Sequence, residues 1–296
     1  MRWADLAERL VFNAAQGARF ADGMGISYLT QDNRRQATRA SGFKGRAKYS
    51  PTHEDVAVCC NPAAVKLLPY YVGRMWLRQT GPRPGLSVIA YGPSVLRTTV
   101  AGHPVRIFQH TQYPFEERVT FEIEQADHVE FPLEFRIPAW SKHATLTIGA
   151  QVFKAFAGDT LRVDRTWHTG DRAVLDLEAT VSLEQSCDAQ AVVVRGPLVF
   201  AAALPDQRQS VKDYALEGFH DYDIEPTHED AWNLSMPRGP AKFDLHRRPG
   251  EIAEPWQNSS VELRGYLTAP DAKSVAVTLV PMGCTILRRV TFPWVA

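Results

Sequence analysis

Cysteine is scarce and neither charge sign is in excess: the 296 residues hold four cysteines, Cys59, Cys60, Cys187 and Cys284, and 33 Lys plus Arg against 33 Asp plus Glu. Four unevenly spaced cysteines do not make the disulfide framework of a secreted domain, so a reducing, cytoplasmic setting is expected. With no net field and no basic cluster interleaved with aromatics, nucleic acid is not an expected partner. No apolar run approaches the roughly 18 residues of a membrane span, and "MRWADLAERLVFNAAQGARF" lacks a signal-peptide core, so no membrane association is expected. What is present, 45% hydrophobic residues, suffices for real cores in one large domain or several ordinary ones.

Trp3, Leu6, Ala7, Leu10, Val11 and Ala14 recur at helical spacing, with Asp5, Glu8, Arg9 and Asn13 on the other faces, and predict an amphipathic helix over 3–16 that stops at Gly17. Almost nothing precedes Trp3, as if the sequence began inside a helix. Residues 23–50 read as polar loop with one short strand in "GISYLT". Asn61 is a predicted N-cap with Pro62 at the first helical position, and Val65, Leu68, Val72 and Met75 carry a second helix to about Leu77, kinked at Pro69. "QTGPRPGLSV" then ends the helical part near residue 82.

Beyond it the period changes to two. "VRIFQHTQYP", "RVTFEIEQ", "LEFRIPAW", "ATLTIGAQVF", "DTLRVDRTW" and "RAVLDLEATVSLE" alternate apolar and polar residues between Gly, Pro and Asp, the pattern of an antiparallel β-sandwich. The signal fades through "LPDQRQSVKDYALEGFHDYDIEPTHEDAWNL" and returns in "VELRGYLT", "KSVAVTLVP" and "TILRRVTFP", predicting a second β unit with an irregular insertion. The expected division is 1–82, 83–186 and 187–296. "PTHED" occurs at 51–55 and at 226–230, but its flanks differ and it is no repeat.

The adjacent Cys59 and Cys60 stand just before a helix. Thiols of free cysteine are often simply buried, whereas a helix amino terminus favours the thiolate. A zinc site takes about three to four protein ligands, so two cysteines are at most half of one. His53, Glu54 and Asp55 lie upstream and could complete a metal site or shuttle a proton; a plain charged loop is the simpler account. A disulfide between the two neighbours would be strained. Cys284 reads as an interior residue at a strand end and Cys187 as structural. Glu8 by itself reads as a solvated charge and Tyr28 as core. Trp140, Trp167, Trp232 and Trp256 are candidate sugar platforms, with Trp140 expected between layers.

Several segments together resemble the β-L-arabinofuranosidase family of glycoside hydrolases (family 127). "VCCNPAAVKLLPYY" resembles its "CC-x-P-x" segment, "WADLAERLVFNAA" its "ad-x-x-E-x-x-lyN" helix and "GISYLT" its "ffYvnp". "FRIPAWS" is similar to "lRIPxWa", "VVVRGPLVFA" to "v-x-rGPlvya", and "LVPMGCTILRRVTFP" to the closing segment. The resemblance implies a mainly β chain corresponding to the carboxy-terminal portion of such an enzyme: a remnant of an α-helical toroid followed by two β-sandwich, jelly-roll-like domains. It implies a retaining hydrolase in which Cys59 is the nucleophile and a zinc ligand, Cys60 is a second zinc ligand, and Glu8 and Tyr28 bind substrate, a small carbohydrate.

The helical region before Cys59 is about half the length the family has, and "E-x-C", the source of the other zinc ligands there, is absent, as is the family's acid/base glutamate. A retaining glycosidase needs a proton donor beside its nucleophile. The expectation is therefore a shortened glycosidase, weak or inactive alone, completed by a further amino-terminal chain or by self-association. The alternative is a non-catalytic carbohydrate-binding or interaction protein whose cysteines are structural. A third reading is a self-sufficient metal site formed by His53 or Glu54 with the two cysteines.

Overall fold

The computed structural model describes residues 2–42, 45–55, 59–239, 242–250 and 253–295. The chain is mainly β and divides into two compact units, each made of two segments: Met1–Glu8 with Leu68–Thr180, and Arg9–Leu67 with Val181–Ala296.

The first unit is a sandwich. One sheet has six strands in the order Gln151–Phe156, His143–Ile148, Arg172–Leu177, Arg118–Gln125, His103–His110 and Ser94–Val100; the other orders Thr160–Trp167, Val129–Arg136, Gly85–Val88 and Trp76–Gln79. Alternation works as predicted, because Val119, Phe121 and Ile123 turn inward and are fully buried. The layers meet where Phe121 and Phe135 stand edge to face with centroids 5.0 Å apart. One pairing departs from the antiparallel expectation: Leu86 to Val88 run parallel to Leu133 to Phe135. Parallel neighbours need a long crossover, here supplied by three strands of the opposite sheet. Trp167 is fully buried, its Nε1 donating to the Phe131 carbonyl, and is no sugar platform; Trp140 is half-buried.

The second unit has a larger sheet ordered Val181–Gln185, Ala191–Arg195, Leu198–Ala203, Ser274–Pro281, Val261–Thr268 and Phe243–Arg247, joined by the short strands Arg288–Arg289 and Thr291–Phe292. Its smaller sheet pairs Ile26–Ser27 and Tyr49–Ser50 with His220–Pro226 and Asp206–Asp213. The predicted irregular insertion is thus largely a hairpin. Its edge strand Asp206–Asp213 has no fully buried residue, which is why it carries no period-two signal.

Both predicted helices form. The first runs as α1 (Arg2–Arg9), a π-helical stretch Leu10–Ala15 and a 3-10 turn Gln16–Ala18; α2 spans Cys60–Val72 and stops short of Leu77 because Trp76–Gln79 joins a sheet. The apolar stripe of the first helix is corrected: Trp3, Leu6 and Leu10 are exposed, while Glu8 and Asn13 are buried. Buried polar groups require partners, and both have them. Arg136 meets Glu8, and Asn13 receives Val199 N–H while donating to the Pro197 carbonyl. No helix among the described residues is long and apolar enough to cross a membrane.

Candidate active site

Cys59 sits immediately before α2, its carbonyl accepting the Ala63 N–H at 3.3 Å. Asn61, the predicted N-cap, instead lies inside the helix and donates its Nδ2 to the Ser50 and Pro51 carbonyls. The start of the helix is thereby tied to strand Tyr49–Ser50, whose partner strand Ile26–Ser27 leads directly into Tyr28.

Strand pairing so brings Tyr28 and Cys59 together. The Tyr28 hydroxyl is 3.2 Å from the Cys59 Sγ. The His53 ring stands edge-on to Tyr28 with centroids 5.9 Å apart, and the Arg46 guanidinium covers the phenol at 4.9 Å. Cys59 is exposed, and hydrogen bonding from Tyr28, aided by Cys60 and Arg46, holds its thiol below the ordinary range. Cys60 is shifted the other way, chiefly by burial. Tyr28 is pushed up to about 12, first by its bond to Cys59. The pair is therefore asymmetric: the Cys59 thiol is shifted towards the thiolate, the Cys60 thiol away from it, and Tyr28 towards its neutral form. Both cysteines are free.

Around them runs an ion-pair network that sequence reading missed. Lys48, 2% exposed, joins Asp221 at 2.6 Å and Asp55 at 2.7 Å, and Tyr214 donates to Asp221 at 3.0 Å. Glu54 is paired with Lys212. His53 is fully buried at positive φ, its Nε2 lies 2.8 Å from the Ile26 carbonyl, and burial lowers its pKa. A neutral imidazole that donates from Nε2 to a carbonyl is not open to a metal on that nitrogen, and the two carboxylates already have cations. Among the described residues no group of three or more His, Cys, Asp or Glu is placed to hold a metal ion. Zinc does not fit this donor set as a complete site, since two adjacent thiols supply about half the ligands it takes.

Glu8 belongs to the first unit. It is fully buried, 2.6 Å from Arg136 Nη2, and Tyr71 donates to it at 3.5 Å. Burial raises its pKa against the opposing pull of Arg136. Arg136 also takes Asp5 at 2.5 Å and donates from Nε to the Ile89 carbonyl at 2.5 Å. A carboxylate with no accessible surface inside such a cage has the surroundings of a framework group. Cys284 ends a 3-10 turn after strand Ser274–Pro281, as read from its segment, and burial pushes it up to about 12. Cys187, expected to be structural, is exposed.

Residues 85–179, the greater part of the first sandwich, match the GH127 middle domain of β-L-arabinofuranosidases. The chain shares a domain and a fold with GH127 proteins. A structure described as a glycoside hydrolase superposes with a TM-score of 0.71 at 22% identity over 100% of this chain and 49% of that one. A GH127 β-L-arabinofuranosidase from Geobacillus stearothermophilus T6 gives 0.70 at 20% identity over 99% and 46%. A further GH127 β-arabinofuranosidase gives 0.69 at 15% identity over 99% and 46%. No curated protein matches. The chain spans about half the length of these GH127-like structures.

Proposed function

We propose that this GH127-like chain carries the nucleophile half of a retaining arabinofuranosidase site, with Cys59 as nucleophile and Tyr28 as its hydrogen-bond donor. The observation that carries the reading is the exposed Cys59 thiol, 3.2 Å from the Tyr28 hydroxyl and held below the ordinary range while its neighbour is not. The thiolate attacks the anomeric carbon, an S–C bond forms, the glycosidic C–O bond breaks and its electron pair leaves on the alcohol oxygen. A proton donor must neutralise that oxygen. Glu54 and Asp55, the nearest carboxylates in sequence, are held by Lys212 and Lys48, so the donor comes from outside this set. Water then hydrolyses the thioglycoside and restores Cys59. Cys59 and Cys60 together are half of a zinc site, to be completed by ligands from elsewhere. Glu8 supports the frame, and the carbohydrate is bound on the Tyr28 side.

The test is intact-mass spectrometry after incubation with an aryl β-L-arabinofuranoside, whose good leaving group makes protonation dispensable. One anhydropentose added to the wild type and none to Cys59→Ser is the expected result. No adduct on either, with an unhindered reaction of Cys59 with iodoacetamide, sinks the reading and leaves the cysteines structural in a non-catalytic carbohydrate-binding or interaction protein.

A further inference from the structure

Trp256 is half-buried and held in place. Its ring stacks on Phe12 with centroids 6.1 Å apart and planes 15° from parallel. A Cβ at residue 283 would stand 2.6 Å from its Cζ3, so the close packing of the indole there requires the glycine at that position. The ring borders two adjoining cavities of the second unit, of about 130 and 230 Å³, which share Ala21, Asp22, Trp256 and Gln257 as walls. Each is smaller than the roughly 300–1,000 Å³ of sites for drug-sized ligands, which suits one small unit apiece. Polar atoms in these walls are open to a ligand. Asp22 is exposed and accepts the Met24 N–H at Oδ1, leaving Oδ2 open. Arg208, its side chain 47% exposed, lies over Phe20 and bonds Asp206 through Nε at 3.3 Å, leaving both Nη groups open. Gln257 is exposed and bonds the Glu254 carbonyl through its backbone N–H, leaving its side-chain amide open.

We propose that these paired cavities bind a neutral saccharide, with a sugar ring against Trp256 and its hydroxyls on Asp22, Arg208 and Gln257. A sugar ring carries an apolar C–H face that packs on an indole by dispersion. Its hydroxyls both donate and accept, so a carboxylate, a guanidinium and an amide can all be satisfied by one ligand. The charges in the walls decide against an ion: among the described lining residues the cations Arg19 and Arg208 are matched by the anions Asp22 and Glu254, so neither sign of ligand is favoured. An apolar ligand would leave the open polar atoms without partners. The site shares no residue with the Tyr28–Cys59 pair and does not rest on the chemistry proposed there.

The full chain is labelled with fluorotryptophan, and the fluorine resonance of Trp256, assigned through Trp256→Phe, is followed by NMR as L-arabinose, D-galactose or acetate is added. A saturable shift with at least one of the sugars is expected, insensitive to added salt, weakened about fivefold by Asp22→Asn and by Arg208→Gln, and unchanged when Cys59 is alkylated with iodoacetamide. Asp22 and Arg208 are exposed, and circular dichroism confirms that both variants fold. No saturable shift with either sugar, acetate saturating as tightly, affinity indifferent to both variants, or loss of the shift on alkylation overturns the assignment.

Discussion

Arg288 is a fully buried cation whose hydrogen bonds go to uncharged oxygens. Its guanidinium donates to the carbonyls of Gly17 and Gln31, each at 2.8 Å, to the Asp32 carbonyl at 3.1 Å and to the Thr30 hydroxyl at 3.1 Å. One side chain near the carboxy terminus thus fixes the loop that leads out of the Tyr28 segment. Arg288→Met strands those acceptors and is expected to cost about 3 kcal/mol, read from the midpoint of urea unfolding. Glu8 offers a pH signature instead. Its folded pKa is raised above the ordinary 4.5, so the folded state keeps a proton that the unfolded chain releases. The resulting stability is complete below the ordinary value and is lost as pH rises through the folded one. Unfolding midpoints should fall over that interval in the wild type, and Glu8→Gln should remove the slope. Glu8→Ala, leaving Arg136 buried beside Asp5 alone, should cost about 3 kcal/mol at neutral pH.

At the scale of elements, α2 is 13 residues long and has no buried residue, although Val65, Leu68, Tyr70 and Val72 are apolar or aromatic. It is held by the Asn61 side chain, by Arg19 donating to the Ala64 carbonyl and by the Tyr71 hydroxyl donating to the Tyr91 carbonyl. Apolar surface of this kind favours association. Val65→Lys combined with Tyr70→Lys is expected to change unfolding free energy by less than about 0.5 kcal/mol while reducing concentration-dependent association in sedimentation velocity. The hairpin Asp206–Pro226 works in the opposite way: it is polar, yet it places Asp221 on Lys48 and so stiffens the sheet beneath Tyr28. Asp221→Asn should leave the strands in place and lower stability by about 2 kcal/mol, since Lys48 would retain only the more exposed Asp55.

For the molecule as a whole, the chain covers less than half the length of the glycoside hydrolase structures it matches, and its two adjacent thiols supply at most half of the ligands a zinc ion takes. Purified chain is expected to hold well below one zinc per molecule by elemental analysis, and Cys60→Ser should remove what is bound. Stoichiometric zinc would mean that another donor closes on the pair. Hydrolysis of an arabinofuranoside with a poor leaving group should be slow, because Glu54 and Asp55, the nearest carboxylates in sequence, are held by Lys212 and Lys48.

Local periodicity and punctuation along the chain encode part of this fold. The alternating strands of residues 94–177 and the two helices were legible because their apolar residues recur with the period of the element. The cysteine pair was legible as a chemical feature, and its kinship was legible through motifs spread along the chain. The tertiary structure decided everything that depends on distant partners. It turned α1 over, because Arg136 lies across the sandwich from Glu8 in sequence and only folding supplies a cation to bury that carboxylate. It converted the apparent insertion into a hairpin, because an exposed edge strand leaves no apolar alternation to read. It set Cys59 apart from Cys60, since burial shifts Cys60 up while the Tyr28 hydroxyl, brought within 3.2 Å by strand pairing, shifts Cys59 down. Charge and hydrogen-bond chemistry act through space, and a one-dimensional pattern records only the residues available to take part.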